Sequence, residues 1–318
     1  MLGGIVEKQS LRSAVLEVEE ILTGRVDSPL GDAELLAAYV VGVPRAQLPM
    51  DTLVDSSQVQ NLRMLAARRA LHVPVQRLTG TAVLGGIEVA VGPGVFLPYQ
   101  WTTGRLLDWG LAAMKDVEAP LVVDLCTGSG AVALAVAHAR PDAQVHAVEL
   151  DPTAFSWARS NADARSAAGD TPIQLHSGDV SDPGLLAELD GMVHLVLSNP
   201  PYTPLGATWL PPEFAHDPPV AVWGGEDGLE VIRHVVRAGT RLLREGGSIG
   251  IEHDESHEEA VSALLEGSGA FTDVADHNAQ GVPRFATARC VAYRSPQRRD
   301  QTGLPERTHS HVGRTVTC

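Results

Sequence analysis

The stretch Leu121-Val-Val-Asp-Leu-Cys-Thr-Gly-Ser-Gly130, followed by the apolar run Ala131 to Ala139, decides the fold. A short apolar strand enters a turn with two glycines and leaves as an Ala/Val/Leu helix. That is how a doubly wound α/β sheet opens, and its ligand crevice lies at the carboxyl ends of the strands. Gly128 and Gly130 let the backbone approach a ligand closely, and Asp124 at the strand end can accept from an ammonium group. The turn lacks the spacing G-x-G-x-x-G and has no Lys-Ser/Thr, so it matches neither a dinucleotide fingerprint nor a P-loop.

Further along, the apolar run Val193 to Leu197 ends in Ser198-Asn-Pro-Pro-Tyr202. Proline donates no hydrogen bond and holds the residue before it extended, so the last carbonyls of this strand have no ladder partner. The Asn199 carboxamide oxygen, the Pro200 carbonyl and the Tyr202 ring make a small clamp. It could accept two N–H bonds from a planar NH2 group and stack on its face. Such a clamp would orient a nitrogen nucleophile. A Pro-rich loop that merely closes the strand is the competing reading.

Between these stretches Val145 to Glu149 reads as a second strand, its acidic end lying 149 − 124 = 25 positions after Asp124, where a ribose diol would be bound. Pro152 to Ser166 reads as a helix with proline in its first turn, and Ile173 to Val180 as a third strand and turn carrying Asp179. A solvated strand end for Glu149 and a plain turn aspartate for Asp179 are the alternatives. After Tyr202 the pattern predicts a helix from Leu229 to Arg244 and a strand from Ser248 to Glu252, with Gly246-Gly247 as the turn between them. A final antiparallel pair follows over 271–276 and 284–293. His253, Asp254 and His257 have spacing that a metal could use, but a charged helix start accounts for them, and no metal is expected.

The glycine turn together with the Asn-Pro-Pro-Tyr clamp resembles the S-adenosylmethionine-dependent methyltransferases, specifically the HemK/PrmC family, which methylates the side-chain amide nitrogen of glutamine in peptide release factors. The resemblance implies a Rossmann-like class I methyltransferase sheet with a small N-terminal helical domain joined by a β-hairpin. The cofactor it implies is S-adenosyl-L-methionine, held by Asp124, Thr127, Gly128, Gly130, Glu149, Asp179, Val180 and Asn199, with Asp179 accepting from the adenine amino group. Asn199, Pro200 and Tyr202 are the expected catalytic set.

Outward from this core, residues 10 to 72 carry helical patterns punctuated by Asp27-Ser-Pro29 and Val43-Pro44, a small helical domain over 1–73. In the family such a domain helps to dock the release factor; a bundle that only packs on the enzyme, or makes a homodimer, is the alternative. Residues 74–98 read as a linker containing a hairpin around Gly85-Gly86. Residues 99–295 form the catalytic domain, and 296–318 are polar and expected to be a disordered tail. After Gly92-Pro-Gly94 the family continues with Pro-Arg-Pro-x-Thr-Glu, which lines the pocket. Here the chain reads Pro98-Tyr-Gln-Trp-Thr-Thr103, without the Arg and the Glu. The loop carrying Trp209 to Glu213, His216-Asp-Pro218 and Trp223-Gly-Gly-Glu-Asp-Gly-Leu229 resembles the family's acidic, Pro-rich loop over the active site.

Composition limits the partners. Asp plus Glu exceed Lys plus Arg by 39 − 24 = 15 among 318 residues, a field that opposes phosphate backbones. With no basic patch and no target-reading insert, a nucleic-acid amino methyltransferase ranks last. No run of 18 apolar residues occurs, so neither a membrane span nor a signal peptide is expected, and the location expected is the cytoplasm. Cys126, Cys290 and Cys318 lack metal spacing. The altered 98–103 segment tips the expectation from the glutamine of a release factor toward a small molecule with a guanidinium or carboxamide, such as free arginine. Tyr99, Trp101, Thr102, Tyr202, Glu213, Asp217 and Glu226 are then the acceptor-binding residues, because a permanently charged guanidinium needs carboxylates beside it.

Overall fold

The structure, a computed structural model, describes residues 8–291 apart from 209 and 280. The expected tail, the end of the last strand at Tyr293, Trp209 and Cys318 lie outside the described residues.

The N-terminal unit begins with a two-residue pairing, β1 (Gln9–Ser10) with β2 (Leu53–Val54). Three helices follow from clear start signals. Helix α1 (Leu11–Leu22) is capped by the Ser10 hydroxyl, α2 (Pro29–Val41) opens on proline and closes on a left-handed Gly42, and α3 (Ser56–Arg69) has an Asp55/Gln58 capping box. A fourth, short helix α4 (Val75–Thr79) falls where the sequence predicts only linker. Its Val75 and Leu78 are buried with Leu11, Leu36 and Leu62 in one apolar cluster, so the helical unit extends beyond residue 73. Each such fully buried aliphatic side chain contributes roughly 1.5–3 kcal/mol.

A hairpin then carries the chain across: β3 (Thr81–Leu84) pairs antiparallel with β4 (Ile87–Ala90) around Gly85 and Gly86, both at positive φ. The tip presses on the catalytic domain so closely that a Cβ at Gly85 would lie 2.5 Å from Leu107 Cδ2 and 2.9 Å from Ala135 Cβ.

The catalytic domain alternates helix and strand: α5 (Thr103–Ala113), β5 (Leu121–Leu125), α6 (Ala131–Ala139), β6 (Gln144–Glu149), α7 (Pro152–Ala167), β7 (Gln174–Ser177), β8 (Val193–Ser198), the single turn α8 (Pro219–Val222), α9 (Glu230–Leu242), β9 (Leu243–Glu252), α10 (Glu258–Gly267), β10 (Phe271–Ala279) and β11 (Val282–Cys290). The sheet order is β10-β11-β9-β8-β5-β6-β7, parallel from β9 to β7 and antiparallel at β11 and β10. Leu106, Leu107 and the apolar face of α6 cover one side of the sheet, and Ile232, Val235, Val236, Val261 and Leu265 cover the other. Chain order reverses between β5 and its neighbours, which places the switch point at the carboxyl end of β5. This is the class I methyltransferase fold expected.

One boundary differs. Helix α9 stops at Leu242, and β9 begins at once, pairing Val193 with Leu243 and then Leu195 with Ser248. Gly246, at φ +76°, lies inside this irregularity instead of in a turn ahead of the strand. Among the described residues no helix is long and apolar enough to cross a membrane.

Candidate active site

A cleft of about 410 Å³ opens where the parallel strands end. Asp124, Thr127, Gly128, Glu149, Asp179, Val180, Asn199, Pro200 and Tyr202 all line it. Gly130 does not; it starts α6 at φ +81°, where only the absence of a Cβ is easily accommodated.

One half of the cleft is built from local turns. Asp124 Oδ2 accepts from the Thr127 hydroxyl at 2.5 Å and the Ala133 N–H at 3.2 Å, which pins the glycine loop over the strand. Burial pushes the Asp124 carboxyl up to about 7 against the pull of those bonds. Glu149 spans two turns: Oε2 accepts from the Gly128 N–H and Oε1 from the Asp151 N–H, both at 2.8 Å. Its carboxyl is also raised by burial, those backbone bonds opposing. Asp179 is held below the ordinary range by hydrogen bonds from Ser181, and so presents a carboxylate. Within this loop Cys126 takes φ +62°, an unusual conformation for a residue with a side chain.

The other half draws on distant elements. Leu125, Ser198 and Ile251 form the last parallel row, so Asn199 and Glu252 emerge beside each other from neighbouring strands. The Ser198 hydroxyl donates to the Leu125 carbonyl at 2.8 Å and locks the two strand ends. Asn199 Nδ2 donates to Thr103 Oγ1 at 3.3 Å, and Thr103 Oγ1 donates to Glu252 Oε2 at 2.9 Å. With its nitrogen committed, the carboxamide of Asn199 has its oxygen left to accept. Tyr202 donates to Glu252 Oε1 at 3.4 Å, and burial keeps its phenol protonated far above the ordinary value. Glu252 is itself 2% exposed, and burial raises it to about 7 despite bonds from Thr103, Thr102 and Tyr202.

Six residues expected at the acceptor do not line the cleft. Asp217 has a fully buried side chain paired with Arg77 at 2.7 Å, and Glu213 pairs with Arg69 at 3.2 Å beside His72. Tyr99 packs edge-on against Phe96 at 5.8 Å, and Thr102 is buried at the start of α5. Trp101 lies at the surface under the Arg284 guanidinium, 5.3 Å from the ring centre, and Glu226 is exposed. The expectation that the carboxylates face an acceptor is therefore corrected: internal cations have taken Glu213 and Asp217. Thr103, Phe214, Glu230 and His234 line the cleft without having been singled out. Glu230 and His234, four apart on α9, are legible as one helix face, but nothing in sequence says which way that face turns. Among the described residues no cluster of three or more His, Cys, Asp or Glu is placed to hold a metal ion.

A switch-point cleft with acidic strand ends and an Asn-Pro-Pro-Tyr clamp defines an S-adenosylmethionine-dependent N-methyltransferase. Residues 13–80 match the PrmC N-terminal domain and residues 88–208 the methyltransferase small domain. The release factor glutamine methyltransferase of Mycolicibacterium smegmatis is 45% identical over 285 residues, covering 89% of this chain and 98% of its own length. Those of Corynebacterium glutamicum and Streptomyces coelicolor are 41% and 42% identical, covering 88% and 83% of this chain and 98% and 92% of theirs. The chain belongs to the HemK/PrmC family. These relatives overturn the expectation of a small molecule with a guanidinium or carboxamide, such as free arginine, as acceptor, for which the 98–103 segment was the ground.

Proposed function

We propose that this methyltransferase acts on the side-chain amide nitrogen of a glutamine in a peptide chain release factor. The observation that carries the reading is the state of the carboxyl groups around the clamp. Asp217 and Glu213 are paired with arginines, and Glu252 is buried with a carboxyl raised to about 7, so none of these three stands as a free charge facing the clamp. A neutral carboxamide suits that environment, whereas a guanidinium would be left without a counter-charge. The name shared by the three relatives above, each at least 41% identical, supports the same choice.

S-adenosylmethionine supplies an activated methyl group on a sulfonium sulfur. In this reading Glu149 would accept from the ribose hydroxyls, Asp179 and the Val180 backbone would hold the adenine, and Asp124, Thr127 and Gly128 would shape the pocket for the amino-acid end. The donor set fits: carboxylates at three adjacent strand ends meet an ammonium, a diol and an amino group, all of which donate hydrogen bonds. Asn199 Oδ1 and the Pro200 carbonyl accept the two N–H bonds of the glutamine amide, and the Tyr202 ring holds its plane. That leaves the nitrogen lone pair perpendicular to the amide and aimed across the cleft. As positive charge builds on nitrogen, the two accepting oxygens stabilise it, and one N–H proton then leaves to solvent.

The test is transfer of labelled methyl from S-adenosylmethionine to purified, unmethylated release factor. The expected result is label confined to one glutamine and absent when that glutamine is replaced by alanine. Failure to label any glutamine, with cofactor binding intact, would overturn the reading.

A further inference from the structure

The 98–103 segment lacks an arginine and a glutamate, yet a guanidinium and a carboxyl reach it from other elements. Glu252 accepts from Thr103, as described. Arg77 and Asp217 lie beside Tyr99, where the charge of Asp217, after burial, raises the phenol and Arg77 opposes it.

Arg77 stands on α4, between Val75 and Leu78, which are buried in the core of the helical unit. Its guanidinium donates to the carbonyls of Gly92 and Val95 and to Asp217 Oδ1, and its side chain is 7% exposed against 0% for Asp217. The three acceptors belong to two walls of the cleft. Val95 lines it directly, and Asp217 sits between Phe214 and Pro218, which with Ala221 form a roof segment lining the same cleft as Asn199 and Tyr202. The roof is also attached near its ends, by the Thr203 N–H to the Val222 carbonyl and the Leu205 N–H to the Gly225 carbonyl, and at Phe214, whose ring lies edge-on to Phe96 with centroids 6.3 Å apart. A weaker tie runs parallel: Arg69, held by Asp32 at 2.7 Å, reaches Glu213 at 3.2 Å.

We propose that Arg77 and Asp217 are positioning residues for the acceptor: one guanidinium, rooted in the helical unit, joins the 92–95 wall to the roof and sets the width of the cleft at the clamp. This rests on the release-factor reading for its acceptor, but the tie itself does not. The 92–95 wall also borders the glycine loop, where a Cβ at Gly128 would lie 3.9 Å from Val95 Cγ2, but the hydrogen bonds of the donor-binding half are made within its own turns, so the loss of this pair falls mainly on acceptor binding.

The experiment uses the full chain with Arg77→Met and, because a lone buried aspartate can unfold a protein, the double variant Arg77→Met/Asp217→Leu, which leaves neither charge unpaired. Hydrogen exchange is followed at the roof amides of Phe214 and Asp217 and along 193–198. Both variants are expected to exchange at least about tenfold faster in the roof with 193–198 unchanged, a local opening. KM for the release factor should rise about tenfold, with kcat and the cofactor Kd within about twofold. Roof exchange equal to wild type in the double variant, or faster exchange without any rise in KM, overturns the proposal. Absence of methyl transfer by the unmodified chain, with the exchange result intact, would instead remove the release-factor reading and leave the tie standing.

Discussion

The two halves of the cleft are made by different means. In the donor half the bonds that matter are short-range: Thr127 to Asp124, Asp151 to Glu149 and Ser181 to Asp179 all lie within three residues, and Gly128 to Glu149 spans 21. In the acceptor half Asn199 to Thr103 spans 96 residues, Arg77 to Asp217 140 and Thr103 to Glu252 149. The donor half thus needs little more than correctly formed βα turns. The acceptor half exists only when the helical unit, the first helix of the catalytic domain and the strand at Glu252 have all docked. Binding of a common cofactor can be served by local chemistry, while choice of acceptor depends on the whole molecule.

The largest expected effect tests that division at the clamp. Asn199→Ala should lower methyl transfer about 10²- to 10³-fold, as loss of one charge-stabilising group does, and leave the cofactor Kd within about twofold by calorimetry. A large loss of cofactor affinity would break the division, because it would return Asn199 to the cofactor-holding set that the family resemblance implies. Glu149→Ala should do the converse, weakening the cofactor roughly 10- to 100-fold, the worth of charged hydrogen bonds of about 1.5–3 kcal/mol, while kcat at saturating cofactor stays within a few-fold.

Glu252→Gln sharpens the comparison from behind the wall. A glutamine offers one acceptor oxygen where the carboxylate offers two, so Thr103 and Tyr202 can no longer both be served, and kcat/KM should fall about tenfold. It also carries a pH signature. The carboxyl of Glu252 titrates near 7 in the folded chain against an ordinary 4.5, so the folded state binds this proton more tightly. Its contribution to stability is full below about 4.5 and is lost as the pH rises through about 7, an effect on the order of 3 kcal/mol. Melting curves between pH 5 and pH 8 should lie closer together in the glutamine variant; curves as widely spaced as in wild type would mean that other groups carry the titration. Asp124 shifts in the same direction and keeps the remaining slope. The smallest effect belongs to Trp101→Ala. Removing a surface ring stacked on Arg284 should cost about 0.5–1 kcal/mol in denaturant melts and change neither KM by more than about twofold.

The same contrast explains what could be read in the sequence. Asp124, Gly128 and Glu149 are legible because strand, glycine turn and acidic strand end are adjacent in the chain and have a physical reason to be so. The helix over Ala131–Ala139 and the hairpin around Gly85-Gly86 follow from local pattern in the same way. Glu213 and Asp217 were legible as acidic but not as already paired, since Arg69 and Arg77 lie 213 − 69 = 144 and 217 − 77 = 140 residues upstream. Reading them as free charges, together with the loss of Arg and Glu from 98–103, turned the acceptor toward a guanidinium. Asn161 is a similar omission: from the middle of α7 it bonds both backbone groups of Ala90 and the Ser129 carbonyl, tying the hairpin to the glycine loop.

Gly85 gives that hairpin a mechanical character. Its tip is seated against Leu107 and Ala135 with no room for a single methyl group, so the connection is a rigid seat and not a flexible tether. Torque applied to the helical unit by a docked partner would be transmitted straight into α5 and α6, the helices that open on Thr103 and close the glycine loop. A displacement of the helical unit would in this way reach the clamp and the glycine loop together.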